Sequence, residues 1–263
     1  MHGGFHTSDD EVATDPALAK PSAFRSVILY MNKQYVVVGG SSGIGLELTR
    51  QLSEAGHAVV VLSRTEGEAG ALANVTHVPY DVTSQEVPDL GLESIDGFAY
   101  CPGTINLKPF HGLKPEHFLQ DFEVNVLGAI KVLQSILKTL KKNDHASIVF
   151  FSTVAVGQGM PYHSSIAASK GAIEGLTRSL AAELAPKIRV NCIAPSVTDT
   201  PLASRILSSE EKKELSGKRH ALGRVGSAEE VAKLGSFLLS EDSGWMTGQV
   251  LGLDGGMSAV RPL

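Results

Sequence analysis

From residue 34 onward the chain switches repeatedly between short β-branched runs and stretches of helical periodicity, and this alternation limits the possible folds more than any other feature. Residues 34–38, 58–62, 76–80, 95–100, 146–151, 188–194 and 249–253 read as strands. Between them, 43–55, 115–142, 165–184 and 228–239 read as helices. The strands are near-continuous apolar runs, where a strand with one wet face would alternate. Strand followed by helix, with strands of that kind, requires a parallel sheet buried on both faces. The expected class is therefore α/β, a doubly wound parallel sheet in a single domain.

The first strand runs straight into Gly39-Gly40-Ser41-Ser42-Gly43-Ile44-Gly45, and a helix follows at once. Glycines at such a junction let the backbone approach a pyrophosphate, while the free amides and positive dipole end of the helix stabilise its charge. A glycine-rich turn alone is a weak signal. Here the strand before it, the helix after it and a further strand 13 residues beyond Gly45 supply the context the signal needs. We expect a dinucleotide site in a Rossmann fold.

Composition narrows the partners. At 263 residues, 43% hydrophobic and 19% charged, the chain suits one globular domain with a sizeable core. A formal charge of -5 without a dense Lys/Arg block leaves no counterion-release footprint, so no nucleic acid is expected as a partner. Cys101 and Cys192 both sit inside apolar segments and cannot make a disulfide framework, which fits buried thiols in a reducing, cytoplasmic location. No metal-ligand spacing is present. The apolar runs fall well short of the roughly 18 residues a membrane span needs, and 24–31 is too short for a signal-peptide core, so no membrane partner is expected. Residues 1–31 are rich in His, Gly, Asp and Pro until the patch Val27-Ile28-Leu29-Tyr30. They read as a poorly ordered extension or a start placed upstream of Met31, the alternative being an added edge strand or partner-binding arm. Residues 32–263 are then the nucleotide-binding domain.

Gly39-x-x-x-Gly43-x-Gly45 resembles the fingerprint of the short-chain dehydrogenase/reductase family. Other stretches resemble it in the same order: Asp81-Val82, Gly103, Asn125 within Val124-Asn125-Val126, Ser152-Thr153-Val154-Ala155 and Ser169-Lys170-Gly171-Ala172. Val190-Asn191-Cys192-Ile193-Ala194-Pro195 and Thr247-Gly248-Gln249 leading to Asp254-Gly255-Gly256 complete the set. The resemblance spans about residues 33–257. It implies a nicotinamide cofactor bound by Gly39, Ser41, Ser42, Gly43, Ile44 and Gly45, with Asp81 and Val82 at the adenine. At the end of the second strand a carboxylate would accept the ribose hydroxyls and repel a phosphate; this chain offers Ser63 and Arg64 instead. A hydroxyl and a guanidinium suit a 2′-phosphate, so NADP(H) is expected, the alternative for Arg64 being a solvated surface side chain.

The family's reaction is hydride transfer between the nicotinamide and a carbonyl or alcohol, assisted by Asn, Ser, Tyr and Lys. By resemblance Asn125 takes the Asn position and Lys170 the Lys position, while Thr153 replaces the serine and can donate the same hydrogen bond. The tyrosine position, four residues before Lys170, holds Ile166. A missing general acid typically lowers rate about 10² to 10⁴-fold. On a helix, residues 163, 166 and 170 share a face, so His163 points toward Lys170 if the helix begins that early. In the divergent enoyl reductases of the superfamily the tyrosine sits seven residues before the lysine, the place His163 holds here. Histidine is a proton donor suited to neutral pH. Tyr162 lies about 80° off that face but could be aimed inward by a loop. The alternative is that Tyr162 and His163 only shape a loop after Pro161. Asn125 could equally do no more than satisfy helix backbone groups, and Lys170 could serve only to hold ribose hydroxyls.

Where the family has Asn-Asn-Ala-Gly the chain has Tyr100-Cys101-Pro102-Gly103, and where it has Pro-Gly the chain has Pro195-Ser196, with Thr198 and Thr200 left to meet the carboxamide. Residues 83–94 contain Pro88 and Gly91 and should form only a turn or two of helix. Residues 200–222 are expected as a mobile lid, with Leu202, Ile206, Leu207, Phe110, Met160 and Ile166 making an apolar pocket. By resemblance, helices over 115–142 and 165–184 form a dimer face and the C-terminal strand completes a tetramer, so a homodimer or homotetramer is expected. Two functions remain open: an NADP(H)-dependent reductase of a small carbonyl, alcohol or activated alkene with a relocated acid, and a non-catalytic NADP(H)-binding sensor or scaffold.

Overall fold

Alternate residues of the central strands point to opposite sides of a sheet, so a strand that is apolar throughout needs helices on both faces. The computed structural model, which describes residue 1 and residues 33–260, satisfies this requirement. The remainder of the 1–31 segment lies outside the described residues. In chain order the main strands are β1 (Gln34–Val38), β2 (Ala58–Ser63), β3 (Val75–Pro79), β4 (Gly97–Tyr100), β5 (Ala146–Phe151) and β6 (Ile188–Pro195). The two-residue strands β7 (Thr198–Asp199) and β8 (Gly226–Ser227) pair with each other, and β9 (Val250–Leu253) closes the main sheet. That sheet has seven strands in the order β3-β2-β1-β4-β5-β6-β9, and every pairing in it is parallel.

The helices are α1 (Gly43–Glu54), α2 (Pro115–Phe122), α3 (Gly128–Leu140), the short α4 (Ala155–Gln158), α5 (Ser164–Leu184), α6 (Glu210–Gly217) and α7 (Ala228–Leu239). Val36, Val38, Phe98, Tyr100, Ile148 and Phe150 pack on one face with Val132 and Ile136 of α3 and Ile173 of α5. Val37, Val61, Ala99, Val149 and Ile193 pack on the other face with Leu48 of α1 and Val231 and Leu238 of α7. The doubly wound α/β reading therefore holds.

Three departures from the expected elements have local causes. The stretch expected as one helix over 115–142 is α2, a π-helical turn (Glu123–Leu127) and α3. Residues 83–94 form no helical turn; Pro88 removes a donor, and Gly91 sits at φ 62. The strands β7 and β8 carry no apolar period and were invisible as a pattern. Among the described residues no helix is long and apolar enough to cross a membrane.

Helix α7 begins with a capping box in which Ser227 and Glu230 satisfy each other's end of the first turn. Its other end is held from β6: Arg189 donates to the carbonyls of Leu238 (3.1 Å), Ser243 (3.1 Å) and Ser240 (2.8 Å) and to the Ser243 hydroxyl (2.6 Å). A guanidinium fits several helix-end carbonyls at once, which no other side chain can copy. Arg189→Met strands these half-buried acceptors and should lower unfolding free energy by about 2–4 kcal/mol in urea titrations, with Arg189→Lys recovering only part of the loss.

Candidate active site

Because all main-sheet strands run the same way, their carboxyl ends collect at one edge, and the loops leaving β1, β4, β5 and β6 meet there. The β1 loop turns at Gly39, with φ 75, and enters α1 at Gly43, with φ 53, values that side chains other than glycine rarely tolerate. A Cβ at Gly45 would fall onto the Gly39 carbonyl oxygen, so helix and loop touch backbone to backbone. Ser42 is the N-cap of α1 but its side chain makes no capping hydrogen bond. Thr200 stands opposite, within 3.4 Å of where a Gly43 Cβ would lie. The turn thus offers a cradle of main-chain amides at the amino end of α1, a fit for a pyrophosphate.

Along the edge from the cradle, at the end of β2, the Ser63 hydroxyl donates to the Thr65 carbonyl at 2.8 Å and lies 3.1 Å from His77 Nε2. Arg64 is exposed, and its side chain makes no hydrogen bond or ion pair among the described residues. Arg64 lines a second, open cleft with Tyr80 and Asp81. Asp81 accepts from the backbone and hydroxyl of Thr83 at 2.9 and 2.8 Å, and these bonds hold its carboxyl below the usual range, helped by the charge of Arg64. Val82 packs against the core beside Gly128.

On the other side of the cradle a cleft of about 210 Å³ opens. Cys101, Gly103, Thr153, Lys170, Pro195, Thr198 and Thr200 line it, together with Ile44. Pro102 packs on Gly39, its ring 3.1 Å from the position of an added Cβ there. Thr153 Oγ1 accepts from the Ala155 amide at 3.3 Å. Lys170 is buried on α5, and its Nζ donates to the Phe151 carbonyl at the end of β5, 2.9 Å away. Burial pulls its ammonium from the ordinary 10.5 down to about 8, against the opposing pull of Cys192, Cys101 and Asp121. Desolvation holds the Cys101 thiol up at about 12, which leaves it protonated and inert.

Asn125 sits in the π-helical turn, a device often found where a helix must present a side chain to a site. Its Nδ2 donates to Thr104 Oγ1 at 2.9 Å and to the Asp121 carbonyl at 2.7 Å, whereas its buried Oδ1 has no partner. A Cβ on Gly103 would lie 3.3 Å from that oxygen and 3.4 Å from Lys170 Nζ, so the two polar groups converge on the Gly103 backbone. Sequence reasoning missed what supports them. Asp121, one helical turn before Asn125 and fully buried, accepts from Thr104 (2.5 Å), Asn106 (2.6 Å) and Ser165 (2.5 Å). It pins the loop after β4 to the start of α5. Its signal in the sequence was only a lone acid at i−4 from Asn125, which surface helices carry everywhere.

Helix α5 begins at Ser164 with His163 as its N-cap residue, so the helix starts early enough to place 163 beside 166 and 170. His163 and Ile166 both line the cleft, Ile166 being only 5% exposed. His163 Nδ1 lies 2.7 Å from the Pro161 carbonyl. A carbonyl can only accept, so Nδ1 carries the proton and Nε2 is the nitrogen left for the cleft. Tyr162, at φ 69, is 58% exposed and is not among the residues lining the cleft. Met160, Leu202 and Ile206 line it as expected, joined by Ile105, Leu107 and Met257, but Leu207 and Phe110 do not. Phe110 is 73% exposed.

Comparison with known proteins places this geometry in context. The family described as "Enoyl-(Acyl carrier protein) reductase" matches residues 38–258. L-xylulose reductase of Bos taurus is 32% identical over 237 residues, covering 87% of this chain and 97% of that protein. The ligand-free aldohexose dehydrogenase of Thermoplasma acidophilum superposes with a TM-score of 0.80 at 27% identity, covering 89% of this chain and 97% of the other. ElxO with NADP bound gives a TM-score of 0.79 at 28% identity, covering 88% of this chain and all of the other.

A buried ammonium is a cost to folding only while it is charged. The unfolded lysine holds its proton up to about 10.5 and the folded one to about 8, so between these values the unfolded state binds more protons and stability rises with pH. Relative to Lys170→Met, wild-type unfolding free energy should climb by up to about 3 kcal/mol from pH 7 to pH 10.5, measured by urea titration across that range. A flat difference would show that Lys170 is not desolvated in the way its surroundings imply.

Proposed function

The chain belongs to the short-chain dehydrogenase/reductase family of oxidoreductases, and from that premise we propose that it transfers hydride between NADP(H) and a small carbonyl, alcohol or activated alkene, with His163 as the proton donor. The observation that carries the donor is the composition of the cleft: among the described residues no tyrosine lines it, and His163 is its one imidazole. The glycine cradle fits a dinucleotide pyrophosphate, and Asn125 Oδ1, unpartnered among the described residues, is a buried acceptor against Gly103, which lines the cleft as Lys170 does. When bound, the nicotinamide supplies the hydride for reduction or takes it up in oxidation.

The residues of this chain then have separate tasks. Lys170 and Asn125 hold and orient hydroxyl groups at the inner end of the cleft. Thr153 donates to the substrate oxygen, and His163 delivers the proton from Nε2 to that oxygen as the carbon receives hydride, leaving a neutral imidazole. In an activated alkene the proton ends on carbon after hydride addition at the far end of the double bond. Residues 200–222 act as the lid: Leu202, Ala203, Ile206 and Arg219 of that stretch line the cleft. A cytoplasmic location and assembly as a homodimer or homotetramer belong to the same reading, supported by the two free thiols and by family membership. L-xylulose reductase and aldohexose dehydrogenase, to which the chain is similar, are named for turnover, which favours an enzyme over a sensor or scaffold role.

Two experiments test it. NADPH oxidation is followed with a panel of ketones, aldehydes, quinones and enones between about pH 5 and 9, the range in which histidines exchange protons. We expect turnover with at least one compound, a loss of about 10² to 10⁴-fold in kcat for His163→Phe with NADPH affinity retained, and little change for Tyr162→Phe. If Tyr162→Phe is the crippled variant, the donor assignment is wrong; NADPH binding with no oxidation of any compound would remove the enzyme reading itself. For the cofactor, Arg64→Asp should weaken NADPH at least about tenfold while leaving NADH binding little changed, since a guanidinium pairs with the 2′-phosphate and a carboxylate repels it.

A further inference from the structure

We propose that Arg219 forms an oxyanion-reading subsite at the open rim of the cleft, so that the substrate is an apolar carbonyl or enone compound bearing a carboxylate at the end remote from the reacting carbon. The inference rests on reading this cleft as the substrate site of a reductase.

Four observations support it. Most cations on this part of the chain are engaged: Lys212 donates to Ser208, Lys213 pairs with Asp199 (2.5 Å), Lys218 with Glu214 (2.8 Å), and Arg224 with both oxygens of Glu230, while Arg205 does not line the cleft. The Arg219 side chain has no hydrogen bond or ion pair among the described residues. Arg219 is exposed and is one of the residues lining the cleft. Finally, among the described residues no Asp or Glu lines the cleft, while Lys170 and the apolar Ile105, Leu107, Met160, Ile166, Ile206 and Met257 do. An unpaired guanidinium at the edge of an apolar cleft offers a planar fork matched to a carboxylate, with hydrogen bonds about twice as strong as neutral ones. A cofactor phosphate is the other source of the same chemistry, and the test must separate the two.

The probes are straight-chain methyl-ketone acids of roughly six to ten carbons, lengths that a small-ligand cleft can bury, and their methyl esters. Binding to the NADP⁺-saturated protein is measured by calorimetry, NADPH affinity by fluorescence, and NADPH oxidation in parallel, for wild type, Arg219→Gln and Arg219→Lys. Because the Arg219 side chain is exposed and holds no partner, neither substitution should disturb folding. At least one acid is expected to bind about tenfold or more tightly than its ester, a preference lost in Arg219→Gln, partly kept in Arg219→Lys, with NADPH affinity unchanged in both. The proposal is overturned if acids and esters bind alike, if neither binds, or if the preference survives Arg219→Gln. A matching loss of NADPH affinity in Arg219→Gln overturns it too, and assigns the side chain to a cofactor phosphate. Arg219-dependent acid binding with no NADPH oxidation would uphold the subsite and refute the reductase reading.

Discussion

A parallel sheet covered on both faces has only its strand ends left for chemistry, and the arrangement of this molecule follows from that confinement. Val36 and Val38 face one helical layer and Val37 the other, so β1 cannot slip by a single residue without turning its valines into the wrong layer. With register fixed, parallel strands deliver their carboxyl ends to one edge: Gly39 after Val38, Cys101 after Tyr100, Ser152 after Phe151. The approach of Gly45 to the Gly39 carbonyl then draws the amino end of α1 onto that edge. The cradle for an anion and the cleft beside it are products of the same constraint, which is why one edge of the sheet carries both.

Burying polar groups at such an edge demands partners, and the chain provides them in a connected set. Asp121 takes three donors, from the loop after β4 and from the first turn of α5, and its own backbone carbonyl accepts from Asn125. Half-satisfied networks of this kind cost more than an apolar core, so the completeness of the donors around Asp121 matters. The one exception inside it, Asn125 Oδ1, points to function because every other arm of that side chain is tied down. Asp121 also opposes the desolvation of Lys170, so a residue with no direct view of the cleft biases the charge of one that lines it.

The fold was legible wherever period and punctuation coincided. The run 34–38 followed by its glycines, or the 228–239 helix behind Ser227 and Glu230, needs no tertiary information to be placed. The π-helical turn at Asn125 was not legible, because residues 115–142 keep a helical period straight through it and only a change in hydrogen bonding marks the break. The β7–β8 pair was hidden for a similar reason: two residues per strand cannot show a period. Within the site, glycines and Lys170 announce themselves by motif, whereas Asp121 and Arg219 are ordinary surface-type charges in sequence. Their difference lies in what surrounds them, three donors for one and no partner for the other, and that is fixed only when distant segments meet.

On the proposed reading, isoleucine at 166, where the family resemblance places a tyrosine, changes more than a donor's identity. A phenol that gives up its proton becomes an anion, so a neighbouring ammonium is needed to stabilise what remains. An imidazolium that gives up its proton becomes neutral, and a nearby cation then favours the transfer by repelling the charged form before it. Lys170, anchored on the Phe151 carbonyl and partly discharged by burial, suits the second arrangement without having to reach the donor at all. The backbone makes the choice between 162 and 163. At φ 69, Tyr162 lies in the left-handed region that few side chains adopt, and this turn leaves its ring 58% exposed while the next residue caps α5 and faces the cleft. The Pro161 carbonyl then fixes the imidazole by Nδ1, so the ring presents one nitrogen to the cleft and keeps the other occupied. On this reading the donor at 163 stands where the loop joins the helix that carries Lys170, and the surrounding structure has to hold Tyr162 in its left-handed conformation.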